Sequence, residues 1–166
     1  MKSHRIETCR LQLRPFTLGD VDELHRLWTD AHVRKYLWDD KLIPRETTKS
    51  IIENSVTSFE INRFGLWAVL PQSEEMLIGF AAFWYFHEPP KLELLYGIAP
   101  AHWNKGLATE VARALIRYGF EELSFERIDA STDAGNLESA RVMEKVGMVF
   151  QKRENTNGLE IGRAHV

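Results

Sequence analysis

The segment Ile98-Ala99-Pro100-Ala101-His102-Trp103-Asn104-Lys105-Gly106-Leu107-Ala108-Thr109-Glu110 carries the residue types of a cradle for a pyrophosphate. Pro100 denies a strand ladder its donor, Lys105 supplies positive charge, and Gly106 permits close backbone approach. Leu107-Ala108-Thr109 then opens a helical pattern whose first amides lack partners, and those amides together with the helix dipole favour an anion. The same spacing also fits an ordinary strand-to-helix connection with a glycine in its turn, so the elements around the loop must decide.

Upstream, Leu11, Leu13 and Pro15 alternate with Gln12 and Arg14 as a half-buried strand, and Thr17 followed by Asp20 resembles a helix cap. Val21, Leu24, His25, Leu27 and Trp28 recur at helical spacing, and Val33, Tyr36, Leu37 and Trp38 point to a short second piece. A further helix starts at Pro44, read as a first-turn residue, and carries Ile51, Ile52, Ser55, Val56 and Phe59 on one face to about Asn62. Phe64 to Leu70 and Met76 to His87 read as a hairpin, closed by Pro89-Pro90. A third antiparallel strand follows, alternating Leu92, Leu94, Tyr96 and Ile98 with Glu93, Leu95 and Gly97, where Gly97 can mark a bulge.

Beyond the loop, Ala108, Val111, Ala112, Leu115, Ile116, Gly119 and Phe120 form an apolar stripe at helical spacing that must cover a sheet. Arg127 to Thr132 is a short strand, Asn136 a good N-cap for a helix ending at Gly147, and Met148 to Lys152 another strand. A strand-helix-strand unit from Leu92 to Thr132 implies one parallel pair inside an otherwise antiparallel sheet, hence a mixed α/β fold.

A chain of 166 residues, 44% hydrophobic, fits one domain with a real core. Its formal net charge of -3 offers no general attraction to nucleic acid or anionic membrane, so an anionic ligand must be held locally. The single cysteine, Cys9, provides no disulfide framework or metal spacing, and no metal is expected. The N-terminus lacks an apolar signal region, and the run from Leu77 to Phe86 is too short to span a bilayer, so a cytoplasmic protein is expected.

Three separated segments together resemble the GNAT superfamily of acyl-CoA-dependent N-acyltransferases, most closely its ribosomal-protein N-terminal acetyltransferase (RimJ/RimL-like) branch. They are Thr8-Cys9-Arg10-Leu11-Gln12-Leu13-Arg14-Pro15-Phe16, the loop from Pro100 to Glu110, and Asn136-Leu137-Glu138-Ser139 through Met143-Glu144-Lys145-Val146-Gly147-Met148. The resemblance implies a three-layer GNAT-like fold and covers roughly residues 5 to 155. In the family's loop pattern Gly106 and Ala108 fit, while Trp103 stands where Gln or Arg is usual; a Trp-x-Lys-Gly variant is common in the branch.

The resemblance further implies acetyl-CoA as co-substrate and an amine acceptor, either a protein N-terminal α-amine or a small molecule, attacking the thioester directly. Leu95, Tyr96, Gly97 and Ile98 would then pair with pantetheine in the manner of an added strand, with an oxyanion donor among their amides. Trp103, Asn104, Lys105, Gly106, Leu107, Ala108 and Thr109 would hold the pyrophosphate, with Asn136, Ser139 and Arg141 as further contacts. Glu93 is the candidate general base, though a structural carboxylate paired with an arginine fits it equally. Ser139 is the candidate proton donor to the thiolate, because the family's usual tyrosine position holds Met143, which has no proton to give. His87 and His102 are alternative bases, and Trp67, Trp84, Tyr85 and Phe86 are read as core or cleft wall.

A P-loop fails because Lys105-Gly106 is followed by Leu107 rather than by Ser or Thr, and no Gly-x-Ser-x-Gly elbow supports a serine hydrolase. Cys9 has no identifiable activating base for a covalent route. A non-catalytic acyl-CoA-binding module of the same fold stays open, and so does the choice between monomer and homodimer. Family members continue with two strands after Gly147-Met148, whereas Ile161-Gly162-Arg163-Ala164-His165-Val166 shows no strand alternation. The expectation is one domain over residues 1–160, with 161–166 a non-native tail, legible as translated sequencing adapter, on a truncated product.

Overall fold

The computed structural model describes residues 3–86, 90–133, 135–156 and 159–166. His87 and Pro89, read above as a candidate base and a strand stop, lie outside them. The strands are β1 (Ile6–Glu7), β2 (Leu11–Pro15), β3 (Leu66–Pro71), β4 (Gly79–Phe86), β5 (Lys91–Ile98), β6 (Asp129–Asp133), β7 (Val149–Thr156) and β8 (Leu159–His165). The helices are α1 (Val21–Trp28), α2 (Ala31–Leu37), α3 (Arg45–Asn62), α4 (Leu107–Glu121) and α5 (Leu137–Lys145). One sheet runs β1-β2-β3-β4-β5-β6-β8-β7, antiparallel except for the β5–β6 pair. No helix among the described residues is long and apolar enough to cross a membrane.

Strand alternation splits the sheet's side chains between two cores. Leu94, Ile98 and Tyr96 face the layer built by Leu107, Val111, Leu115 and Met143 of α4 and α5. Leu95 and Trp84 face the layer built by Val21, Leu24, Trp28 and Ile52 of α1 and α3, against which Val33 and Leu37 of α2 also pack. A helix layer therefore covers each face, giving three layers. Trp67, fully buried, belongs to the first core, while Tyr85 is 56% exposed.

Three details depart from the sequence reading. Pro44 caps α3 from outside its first turn, with an extended backbone at φ -67° and ψ 151°. Gly97 forms no bulge, because it pairs regularly with Phe80. A Cβ there would come within 2.4 Å of the Phe80 ring, so the glycine makes room for a buried aromatic. Ile6–Glu7 adds a short edge strand, too brief for periodicity to show.

The largest correction concerns the C-terminus. Residues 161–166, expected to be strandless, supply most of β8, which lies between β6 and β7 and pairs with both. Ala164 and Arg163 are buried there. The pattern is invisible by alternation because a strand with neighbours on both sides takes small and charged residues wherever the surrounding packing accepts them.

Candidate active site

The parallel pair opens into a V. β5 and β6 are registered only at Glu93 and Asp129, yet β5 continues to Ile98 and β6 to Asp133. Leu95 to Ile98 keep β4 as their sheet neighbour, and the opposite edge of that stretch has no strand in register among the described residues. Such an edge can pair with an extended ligand.

The loop follows at the open end of the V. Pro100–His102 forms one turn of 3-10 helix, and the Trp103 indole N–H donates to the Ile98 carbonyl at 2.6 Å, folding the loop back on the strand that leads into it. Asn104 and Gly106 both adopt left-handed backbone, with φ of 62° and 75°. Gly106 is the N-cap of α4 and offers no side chain to its first amides, which leaves the helix N-terminus open to an anion. Lys105 is exposed, Leu107 and Thr109 are buried, and Ala108 is half-buried. The residues read as the pyrophosphate loop thus come together.

Arg10, which sequence reasoning placed only on the first strand segment, braces this loop. Its Nη1 donates to the Lys105 carbonyl at 2.8 Å and its Nε to Glu110 Oε1 at 2.8 Å. The Arg10 amide and the Thr8 hydroxyl also donate to Glu110. Burial pushes the Glu110 carboxyl up, but these hydrogen bonds and the guanidinium outweigh it and hold it below the ordinary range. Nothing short of the tertiary structure links positions so far apart in the chain.

On the other arm of the V, Asn136 caps α5 by accepting the Ser139 amide at 3.2 Å. The Tyr96 hydroxyl crosses from β5 to the same turn, 3.0 Å from the Ser139 carbonyl oxygen and 3.1 Å from Ser139 Oγ. Burial pushes the Tyr96 phenol up to about 12, against a smaller lowering by Ser139. Arg141 is exposed on α5, and Met143 is buried in the core.

Glu93 sits apart, at the closed end of the V, and is 3% exposed. Ser131 Oγ donates to its Oε1 at 2.7 Å and Arg163 Nη1 to its Oε2 at 3.3 Å. Strand alternation places Glu93 with Leu95 on the α1–α3 face and Tyr96 on the α4–α5 face. A second carboxylate, Asp133, ends β6 at the open side; burial and then the Asp39 charge push its carboxyl up. His102 is half-buried in the 3-10 turn, and Cys9 is an exposed free thiol.

Helix α2 reaches both arms of the V. The His32 ring meets Trp103 edge-on, with centroids 6.1 Å apart, and the Tyr36 hydroxyl donates to the Gly135 carbonyl at 3.4 Å.

Known proteins resemble this chain in sequence and in fold. Residues 10–149 match the family described as Acetyltransferase (GNAT) domain. The chain is 30% identical over 143 residues to the uncharacterized N-acetyltransferase YnaD of Bacillus subtilis, covering 86% of this chain and 81% of that protein. It is 32% identical over 150 residues to the uncharacterized N-acetyltransferase p20 of Bacillus licheniformis, covering 87% and 81%. Among solved structures, a GNAT-family acetyltransferase from Bacillus anthracis superposes with a TM-score of 0.82 at 26% identity over 98% and 97% of the two chains. A RimL ribosomal L7/L12 α-N-protein acetyltransferase in complex with coenzyme A shares the fold at a TM-score of 0.81 and 16% identity, over 98% and 97%. The splayed strands, the left-handed loop glycine and these likenesses agree, and the chain belongs to the GNAT family of acetyltransferases.

Proposed function

We propose that the protein transfers an acetyl group from acetyl-CoA to a primary amine, a protein N-terminal α-amine or a small-molecule amine, by direct attack in a ternary complex. The observation that carries this reading is the unpaired edge of Leu95–Ile98 leading into the left-handed Gly106 at the open N-terminus of α4. An extended amide-bearing arm fits the edge, and a pyrophosphate fits the amides. The RimL complex with coenzyme A, a protein of the same fold, supports the donor, and its L7/L12 acetylation supports the protein-amine acceptor and the RimL-like branch.

In this reading Leu95, Tyr96, Gly97 and Ile98 supply backbone pairing and the oxyanion donor. Trp103 to Thr109 hold the pyrophosphate, Asn136 meets the pantetheine amides, and Arg141 meets a CoA phosphate. Ser139 protonates the departing thiolate from the α4–α5 face. Glu93 accepts the amine proton, through water, from the opposite face of β5, which keeps acid and base on separate sides of the reacting carbon. Asp133, a carboxylate at the open side of the V whose carboxyl burial and the Asp39 charge push up, is the alternative for that step.

Titration calorimetry with acetyl-CoA tests the donor, and saturable binding is the expected outcome. A screen of CoA thiol release over peptide and small amines then identifies the acceptor. The buried, non-donating Met143 favours one second reading, a catalytically weak acyl-CoA-binding module. Binding without CoA release from any amine would establish it.

A further inference from the structure

We propose that Tyr96 is a positioning residue for Ser139, aiming the serine hydroxyl at the sulfur of a thioester lying between β5 and α5 and supplying the proton that the serine passes on. The inference rests on the acetyl-CoA reading above. The two hydroxyls belong to opposite arms of the V: Tyr96 rises from the stretch of β5 whose edge is open, and Ser139 sits in the first turn of α5. They meet 3.1 Å apart, with the Ser139 carbonyl oxygen 3.0 Å from the same phenol oxygen.

A phenol has one proton and accepts through the same oxygen. When Tyr96 donates to the Ser139 carbonyl, the Ser139 hydroxyl donates to Tyr96. When Tyr96 donates to Ser139 Oγ, the serine proton is free to point elsewhere. The two arrangements share heavy-atom positions and differ by rotation about two C–O bonds. Burial keeps the phenol protonated throughout the neutral range, so the donor is always charged with its proton.

The chemistry balances. The amine lone pair forms the N–C bond, the C–S bond breaks, and its electron pair goes to sulfur. Sulfur takes the Ser139 proton, Oγ takes the Tyr96 proton, and the phenol recovers one from solvent, which has received the proton lost by nitrogen. Both side chains end unchanged. A tyrosine from the facing strand thus supplies what Met143, at the usual tyrosine position on α5, has no group to supply.

The test compares binding of CoA with that of desulfo-CoA, which lacks only the sulfur, at about pH 7 and about pH 9, where a thiol of ordinary pKa is substantially ionised. In the wild type, CoA gains affinity over desulfo-CoA by about tenfold at the higher pH, the size of a hydrogen bond to a charged acceptor. Tyr96→Phe and Ser139→Ala each abolish that gain, read within each variant as the ratio of CoA to desulfo-CoA affinity so that any change in overall cofactor binding cancels. In turnover, Tyr96→Phe lowers kcat by about tenfold with KM for acetyl-CoA little changed, and the double variant is no worse than Ser139→Ala. A sulfur-dependent gain that survives in Tyr96→Phe, or additive losses in the double variant, overturns the inference and leaves the donor assignment standing. Failure of the wild type to bind CoA at all overturns both.

Discussion

The Tyr96 hydroxyl lies 3.0 Å from the Ser139 carbonyl oxygen and so ties β5 to the first turn of α5 across the open end of the strand pair. Its titration is directly observable. Burial raises the folded-state pKa from 10.0 to about 12, so the folded protein holds this proton more tightly than the unfolded chain. The stabilisation is fully present below the unfolded value of 10.0 and is lost as pH rises toward the folded value. An absorbance titration of tyrosinate should show a late step that Tyr96→Phe removes. Alkaline unfolding of the wild type should begin above about pH 10. A variant titrating identically to the wild type would exclude the buried pair.

Gly106 is held at φ 75° with only the Arg10 Nη2 atom, at 3.6 Å, near the position of a Cβ. Gly106→Ala therefore strains the backbone without a clash, costing about 1–2 kcal/mol. Because the strain twists the first amides of α4, acetyl-CoA affinity should fall by more than thermal stability alone accounts for. Calorimetry beside thermal melts separates the two, and unchanged affinity would move the pyrophosphate elsewhere.

Arg10 makes a different kind of prediction, since its side chain is 49% exposed and its ion pair with Glu110 is worth little in stability. What it fixes is the Lys105 carbonyl. Arg10→Ala should raise KM for acetyl-CoA several-fold with kcat nearly unchanged. The Glu110 carboxyl, depressed in the fold, adds stability above the ordinary value of 4.5 that is lost as pH falls through its folded value. Arg10→Ala should accordingly blunt the acid limb of the stability profile.

The legibility of this site follows from how local its determinants are. The loop, the Asn136 cap and the α4 stripe were readable because each is fixed by neighbours within a turn or two: a glycine at positive φ, a side chain reaching the amide of Ser139, an apolar repeat. Tyr96, by contrast, alternated correctly as a β5 residue but gave no sign that its hydroxyl would meet Ser139, since strand alternation fixes a face and not a distant partner. Arg10 and Glu110 were similarly unpairable from sequence. For β8 the failure was one of pattern, because Gly162, Arg163 and Ala164 sit where packing by β6 and β7 replaces the usual β-branched alternation.

Glu93 and Asp133 are the two carboxylates proposed for the base, and their surroundings give opposed expectations. Glu93 is held by Ser131 and by a buried Arg163, so Glu93→Gln removes a charge-assisted hydrogen bond at 8% exposure and should destabilise by about 1.5–3 kcal/mol. Asp133→Asn removes a half-buried carboxyl whose charge is opposed by Asp39, so stability should hold or rise. A base reveals itself through turnover well below the melting temperature, by a loss of roughly 100-fold or more with acetyl-CoA affinity retained. If only Asp133→Asn shows that loss, Glu93 is a structural carboxylate.

Removal of residues 161–166 puts the C-terminal strand to a direct test. In the strand order β6-β8-β7, β7 joins the sheet only through β8, and β8 supplies Arg163 to Glu93 and Ala164 to the core. Deletion therefore does more than trim an edge: it strands β7, exposes the flank of β6, and takes the Arg163 guanidinium away from the Glu93 carboxylate. A chain ending at Glu160 should melt well below the full-length protein and show faster proteolysis within Val149–Thr156, with lower solubility from the uncovered strand edge. The loop at Gly106 lies on the other arm of the V, so residual acetyl-CoA binding should outlast amine turnover. Equal melting temperatures for the two chains would show that the segment, whatever its origin, contributes nothing to the sheet it occupies.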